Sequence, residues 1–296
     1  MRFLQKAVMP AREGAWLVHG NEVVCGYVVQ AEHAAWADTP EKVFRLHGLG
    51  FDGSPLAPSF PFLDVVRIPI TPYVRVTAAT GGIDETGAAL TGGAFIDHPP
   101  FTGTGFVGGV PEGLIPLWWL DPVRIPAGTE LWRIYADAHE ELVAVFPGVA
   151  VGWVAVGEYA LEPESRGVPS TLLNVFGNWR GARVFVDELP DGRVSVSSFE
   201  ELPDTAQTSR GLWAAEVDLG EVTEIAAVRF TCTWRGLPFQ VIDRYTGDRA
   251  RLVYLGRDVT KAEALQLTKT DAGVYEASVL WTELADLQGV ELSRVP

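Results

Sequence analysis

The residues of this chain that could do chemistry are five histidines, one arginine and a glycine-rich stretch. His98, in "FIDHPPF", is the best placed general acid or base. Its neighbour Asp97 does not complete a dyad with it, because adjacent residues of an extended chain point to opposite sides. Arg75 ends the strand-like run "YVRV", at the head of "TAATGGIDETGAALTGGAFIDHPPFTGTGFVGG", residues 77–109. Backbone N–H groups in such a stretch can cradle phosphate, but a phosphate loop ends in Gly-Lys-Ser/Thr and this one does not. No lysine or arginine occurs between Arg75 and Arg124 to neutralise a bound phosphate. The stretch therefore reads as a long connection between strands. His139 opens "HEELV", where the second metal-binding histidine of a His-Glu-x-x-His helix is replaced by Val143. Ser54, in "FDGSPLA", is outside any Gly-x-Ser-x-Gly elbow. His19, His33 and His47 stand singly beside apolar or small residues and read as structural.

Cys25 and Cys232 form no Cys-x-x-Cys pair, so neither a disulfide framework nor a thiolate zinc cage is expected, and no motif calls for a metal or another cofactor. Arg75 together with Glu162-Pro163-Glu164 resembles two parts of the ADP-ribosyltransferase pattern. The Ser-Thr-Ser segment of that family is missing, and Pro163 would break a pairing strand.

Tryptophans are the other resource. Trp118 and Trp119 lie on an apolar run where alternation turns one ring inward and the other outward, and an outward ring is a candidate binding hot spot. Trp179 and Trp234 each open a Trp-Arg-Gly followed by an alternating strand, a turn and a second strand. The likeness continues downstream, where "GLWAAEVDLGEVTEI" (211–225) aligns with "GVYEASVLWTELADL" (273–287). Residues from about 170 to 292 thus read as two copies of one small β module. Each resembles an SH3-like small β-barrel in size and strand pattern, and that resemblance implies a shared aromatic groove as the alternative role for Trp179 and Trp234. The second copy carries "RDVTKAEALQL", a short helix capped by Asp258 or Thr260.

A second echo lies upstream: "FLDVVRIPITPYVRV" (62–76) and "WLDPVRIPAGTELWRI" (119–134). The sequence therefore predicts a mainly β protein in three parts. Residues 1–160 form an antiparallel β domain with an internal duplication, 161–230 the first SH3-like module and 231–296 the second. "EHAAWADTPEKVFRLHG" is the best helical pattern of the first part, and Pro40 interrupts it. Residues 157–170, rich in turn formers, read as the linker.

The chain carries 38 acidic against 23 basic residues, a net charge of −15 that repels nucleic acid and anionic membranes and favours a basic protein partner. No apolar run is long enough to span a membrane and the N-terminus lacks a secretory h-region, which points to the cytoplasm. These features predict a non-catalytic cytosolic binding protein of the kind that an immunity-type inhibitor of a basic toxin or effector would be. The alternative is an enzyme acting on a small substrate, with its site around residues 75–109 and with His98 or Arg75 in it.

Overall fold

Period-two runs rich in valine, isoleucine and aromatics become strands, and the computed structural model is mainly β. It describes residues 2–17, 22–51, 53–80, 104–110, 113–157 and 167–293. In chain order the N-terminal half comprises β1 (Phe3–Ala7), α1 (Pro10–Leu17), β2 (Val23–Gln30), α2 (Pro40–Leu46), β3 (Phe62–Pro69) and β4 (Val76–Ala78). It continues with β5 (Phe106–Val110), β6 (Gly113–Pro116), β7 (Trp118–Arg124), β8 (Thr129–Tyr135), β9 (Glu140–Phe146) and β10 (Val154–Ala155). Eight of these strands form one antiparallel sheet in the order β10-β9-β8-β3-β1-β2-β7-β4, and β5 pairs with β6 alone.

Both faces of this sheet are buried, so its central strands read as near-continuous apolar runs. Val24, Val28, Val66, Ile68 and Leu120 pack on one side with Trp16 of α1, whose ring stacks on Trp153 at 6.1 Å. Cys25, Tyr27, Val29, Val65 and Trp119 pack on the other, with Val43 and Leu46 of α2. Pro40 opens α2 instead of breaking it, because a first-turn proline lacks only an N–H that the helix would leave unpaired, and Thr39 caps the end. The two Val-Arg-Ile-Pro strings fall on β3 and β7, which flank the central β1–β2 pair. Arg67 pairs in register with Gln5, and Arg124 with Val23.

His47, just past α2, is buried with its Nε2 3.4 Å from Gln5 Nε2. Burial, and secondarily the charge of Lys6, push its pKa down to about 3. The unfolded chain then binds the proton more readily than the folded one, so the contribution of His47 to stability falls as pH drops from about 6.5 toward 3, by up to about 1.4 kcal/mol per pH unit. Glu13 and Glu22, whose carboxyls burial pushes up to about 7, act in the opposite sense between about pH 7 and 4.5. Urea unfolding should therefore show the stability of the wild type relative to His47→Gln falling as pH drops from about 6.5 to 5.

The C-terminal half comprises β11 (Leu173–Trp179), β12 (Ala182–Glu188), β13 (Arg193–Ser198), β14 (Ala206–Gln207), β15 (Trp213–Asp218) and β16 (Thr223–Trp234). After these come β17 (Leu237–Tyr245), β18 (Arg249–Tyr254), α3 (Val259–Ala264), β19 (Thr268–Asp271), β20 (Val274–Leu280) and β21 (Ala285–Ser293). Each Trp-Arg-Gly is a two-residue hairpin turn. Arg180 and Gly181 have φ of 51° and 80°, and Arg235 and Gly236 have 49° and 76°. Positive φ at both turn positions is the type I′ pattern, whose twist matches that of the strands, and it explains why glycine follows arginine both times. Each arginine then folds back over its own tryptophan, 4.4 Å from the ring centroid in both cases.

The strand ladders repeat in register over much of their length, although β17–β18 has a bulge between Val241 and Asp243 that β12–β13 lacks. β11 pairs with β16 from Leu173↔Arg229 to Asn178↔Thr223, and β16 pairs with β21 from Val228↔Glu291 to Thr233↔Ala285. The register shift falls at the matching place in both, between Phe176 and Asn178 and between Thr231 and Thr233. Ala206↔Ala214 is mirrored by Thr268↔Glu276, and Arg193↔Asp218 by Arg249↔Leu280. A 3-10 turn precedes the last strand of each unit, and Glu221 and Glu283 accept the N–H of Asp218 and Leu280 at 3.2 Å in both. The units share a strand: the N-terminal part of β16 is the sixth strand of the first, and its C-terminal part is the first strand of the second. The boundary expected at 230/231 thus lies inside β16. No ladder joins β15 to β16 or β20 to β21 among the described residues, so neither unit closes on itself. Asp258, not Thr260, caps α3, which buries Val259 and Ala262 and leaves Ala264 exposed.

The two halves interlock through ion pairs largely withdrawn from water. Lys6 meets Asp271 at 2.7 Å, Arg124 meets Asp187 at 2.6 Å, Arg210 meets Glu22 at 2.6 Å, and Arg12 pairs with Glu276. Leu173, Ile242, Val253, Ala272 and Val274 join the apolar cluster of the N-terminal sheet. Buried pairs of this kind contribute little net stability but penalise any other docking, which would strand a charge without a partner.

Candidate functional site

A sheet edge is a row of unpaired backbone N–H and C=O groups, and native proteins keep such edges short or covered. The strands ending the two sheets follow this rule: β10 and β14 have two residues each, β4 three and β19 four. β21 does not, with nine residues paired to β16 on one side and to nothing on the other among the described residues. In the first unit the matching outer edge, along β16 from Ala226 to Thr233, is covered by β21 itself. The molecule thus displays on its first unit how the open edge of its second unit can be filled, by an antiparallel strand.

Local chemistry gives this edge a sign. Between Trp281 and Ser293 there are three carboxylates, Glu283, Asp286 and Glu291, and no lysine or arginine. Hydrogen bonds from the Trp234 indole and the Leu280 N–H hold the Glu283 carboxyl below its ordinary pKa. Glu291 lies 3.7 Å from Arg183 with both side chains exposed, a pair worth only about 0.2–1 kcal/mol and easily exchanged for an incoming cation. From Gln288 to Ser293 the ladder is regular, and Leu287 stands 42% exposed beside it. Near its C-terminal end an open groove of about 650 Å³ is lined by Leu219, Val222, Ile225, Glu224 and Glu291. Backbone pairing plus a side-chain groove is what strand addition requires.

The tryptophans singled out in the sequence are placed elsewhere. Trp119 is buried on one face of the N-terminal sheet, and Trp118, half-buried, packs on the opposite face. Their rings diverge as alternation predicts, but the second face is covered too. Trp179 and Trp234 are buried in the separate cores of the two units, so no common groove joins them. Arg75 is exposed and lines a crevice with Tyr73, Asp121, Asn174 and Arg229. His98, the core of the glycine-rich stretch, the Glu162-Pro163-Glu164 segment and most of the expected linker lie outside the described residues, as does His19. His139 is exposed on the β8–β9 turn, stacked on Tyr135. No group of three or more metal-ligating side chains occurs among the described residues.

Sequence reasoning missed the edge because β21 carries ordinary strand composition. What marks it is that its outer side meets no strand among the described residues, which only the repeated register makes visible. Comparison with protein-family models, curated proteins and solved structures gives no match to this chain.

Proposed function

We propose that the protein is a non-catalytic binding protein that takes up an extended, basic segment of a partner protein along the outer edge of β21. The nine-residue strand, unpaired on one side among the described residues, carries this reading, since the strands that end the two large sheets are two to four residues long. Main-chain hydrogen bonds would supply affinity and the carboxylates of Glu283, Asp286 and Glu291 would select lysine or arginine. The same acids disfavour pairing of β21 with a second copy, where like charges would meet. Such a protein fits the role of an immunity-type inhibitor of a basic toxin or effector, and two tandem modules of SH3-like size are a suitable scaffold for it. No helix among the described residues is long and apolar enough to cross a membrane, and Cys25 and Cys232 are buried and unpaired, which suits a cytoplasmic setting.

The test is comparative capture. Wild type and an Asp286→Lys/Glu291→Lys variant, confirmed to melt alike, are used as bait in extract of the native cells. The expected result is one basic protein recovered stoichiometrically by the wild type and lost by the variant. Equal recovery of that protein by both baits would refute docking at β21.

A further inference from the structure

Two guanidinium groups meet one carboxylate at the seam between the halves, and a third lines the crevice beside them. Asp121, on β7, is 3.2 Å from Arg257 and 3.8 Å from Arg229 of β16, and Arg75 lines the same crevice. Arg124 also borders it, but its charge is met by Asp187. In a chain of net charge −15 the spot holds an excess of positive charge. The Nε of Arg229 is buried and meets no acceptor, an uncommon state for a charged donor. Burial first, and then the neighbouring Arg75, press the Arg229 pKa downward against the pull of Asp121. The crevice, with about 30 Å³ of open space, is walled by Tyr73, Val123, Leu173 and Val228.

We infer that this crevice binds a small oxyanion, the carboxylate or phosphate group of a ligand, held by Arg75 and Arg229 with Arg257 behind Asp121. Forked guanidinium donors match the paired oxygens of either group, and apolar walls strengthen the attraction by excluding water. Arg75 keeps its side chain in solvent, so the site is accessible without any movement of the seam. This site does not depend on the docking reading of β21.

The probes are inorganic phosphate and acetate, titrated at constant ionic strength against chloride, with binding read by calorimetry and by the rise in melting temperature. Saturable binding of one or both is expected, the tighter of the two identifying the source of the oxyanion. Arg75→Gln, at an exposed position, should weaken it by about tenfold or more, the scale of a charge-assisted hydrogen bond. Asp121→Asn removes the competing carboxylate and should tighten it several-fold, a gain that a purely structural arginine cluster would not show. Absence of saturable binding in the wild type, or equal binding in Arg75→Gln, overturns the assignment.

Discussion

Replacing Trp179 or Trp234 by alanine is expected to destabilise the protein by about 3–5 kcal/mol in each case, the usual loss for a buried aromatic ring. Both rings are almost fully withdrawn from solvent, Trp179 among Val175, Val184, Val196 and Val222, and Trp234 beside Phe239 and Tyr254. The equivalence of the two sites ends at the indole nitrogen. Trp234 Nε1 donates to Glu283 at 3.0 Å, whereas Trp179 Nε1 is buried without an acceptor. Phenylalanine should therefore be better tolerated at 179 than at 234, where a hydrogen bond is lost as well. Because β16 belongs to both units, each loss should appear as a shift of one common transition in chemical unfolding. A Trp→Ala protein that keeps its midpoint would contradict the core placement of that ring.

Asp187→Ala is expected to cost about 3–5 kcal/mol, since it leaves Arg124 charged and enclosed without its partner. The side chains of Arg124 and Asp187 are 6% and 1% exposed, and Asp187 also accepts the Val149 N–H at 2.8 Å. Gly148 packs so closely on this carboxylate that an added Cβ would lie 2.8 Å from Oδ2, so the loop is shaped around it. The double variant Arg124→Met/Asp187→Leu removes both charges together and should recover a large part of the loss. If the single and double variants are equally unstable, the pair does not act as a unit and the seam is held by its apolar contacts alone.

Local chemistry was legible in the sequence wherever it recurred. The repeat of Trp-Arg-Gly was legible although its role as a type I′ turn was not, Asp258 was one of two expected helix caps and is the one used, and the aligned Glu221 and Glu283 make the same hydrogen bond before the last strand of each unit. Repetition separates such signals from chance because a turn requirement, unlike a core requirement, tolerates few residue types. α1 escaped notice because it buries only Trp16 and so has almost no apolar period. The sharing of β16 escaped because a strand that serves two units shows no break in its alternation. Lys6–Asp271 and Arg229–Asp121 join residues far apart in the chain, and pairing across such distances leaves no local pattern to read. Arg75 was picked out for its position at the head of the glycine-rich stretch. Its partnership with Asp121 and Arg229 could come only from the fold.

Hydrogen–deuterium exchange across β16 and β21 tests the docking edge most directly. Amides of β16 are enclosed between two ladders, while β21 has one, so exchange in the free protein should be slow along Ala226–Thr233 and faster along Ala285–Ser293. A synthetic nine-residue peptide alternating lysine and valine should slow exchange along Ala285–Ser293, and an aspartate–valine peptide should not. Glu291→Lys should abolish the protection by the lysine peptide. Protection that appears elsewhere, or that is the same for both peptides, would contradict the assignment of β21 as the edge that receives a basic strand.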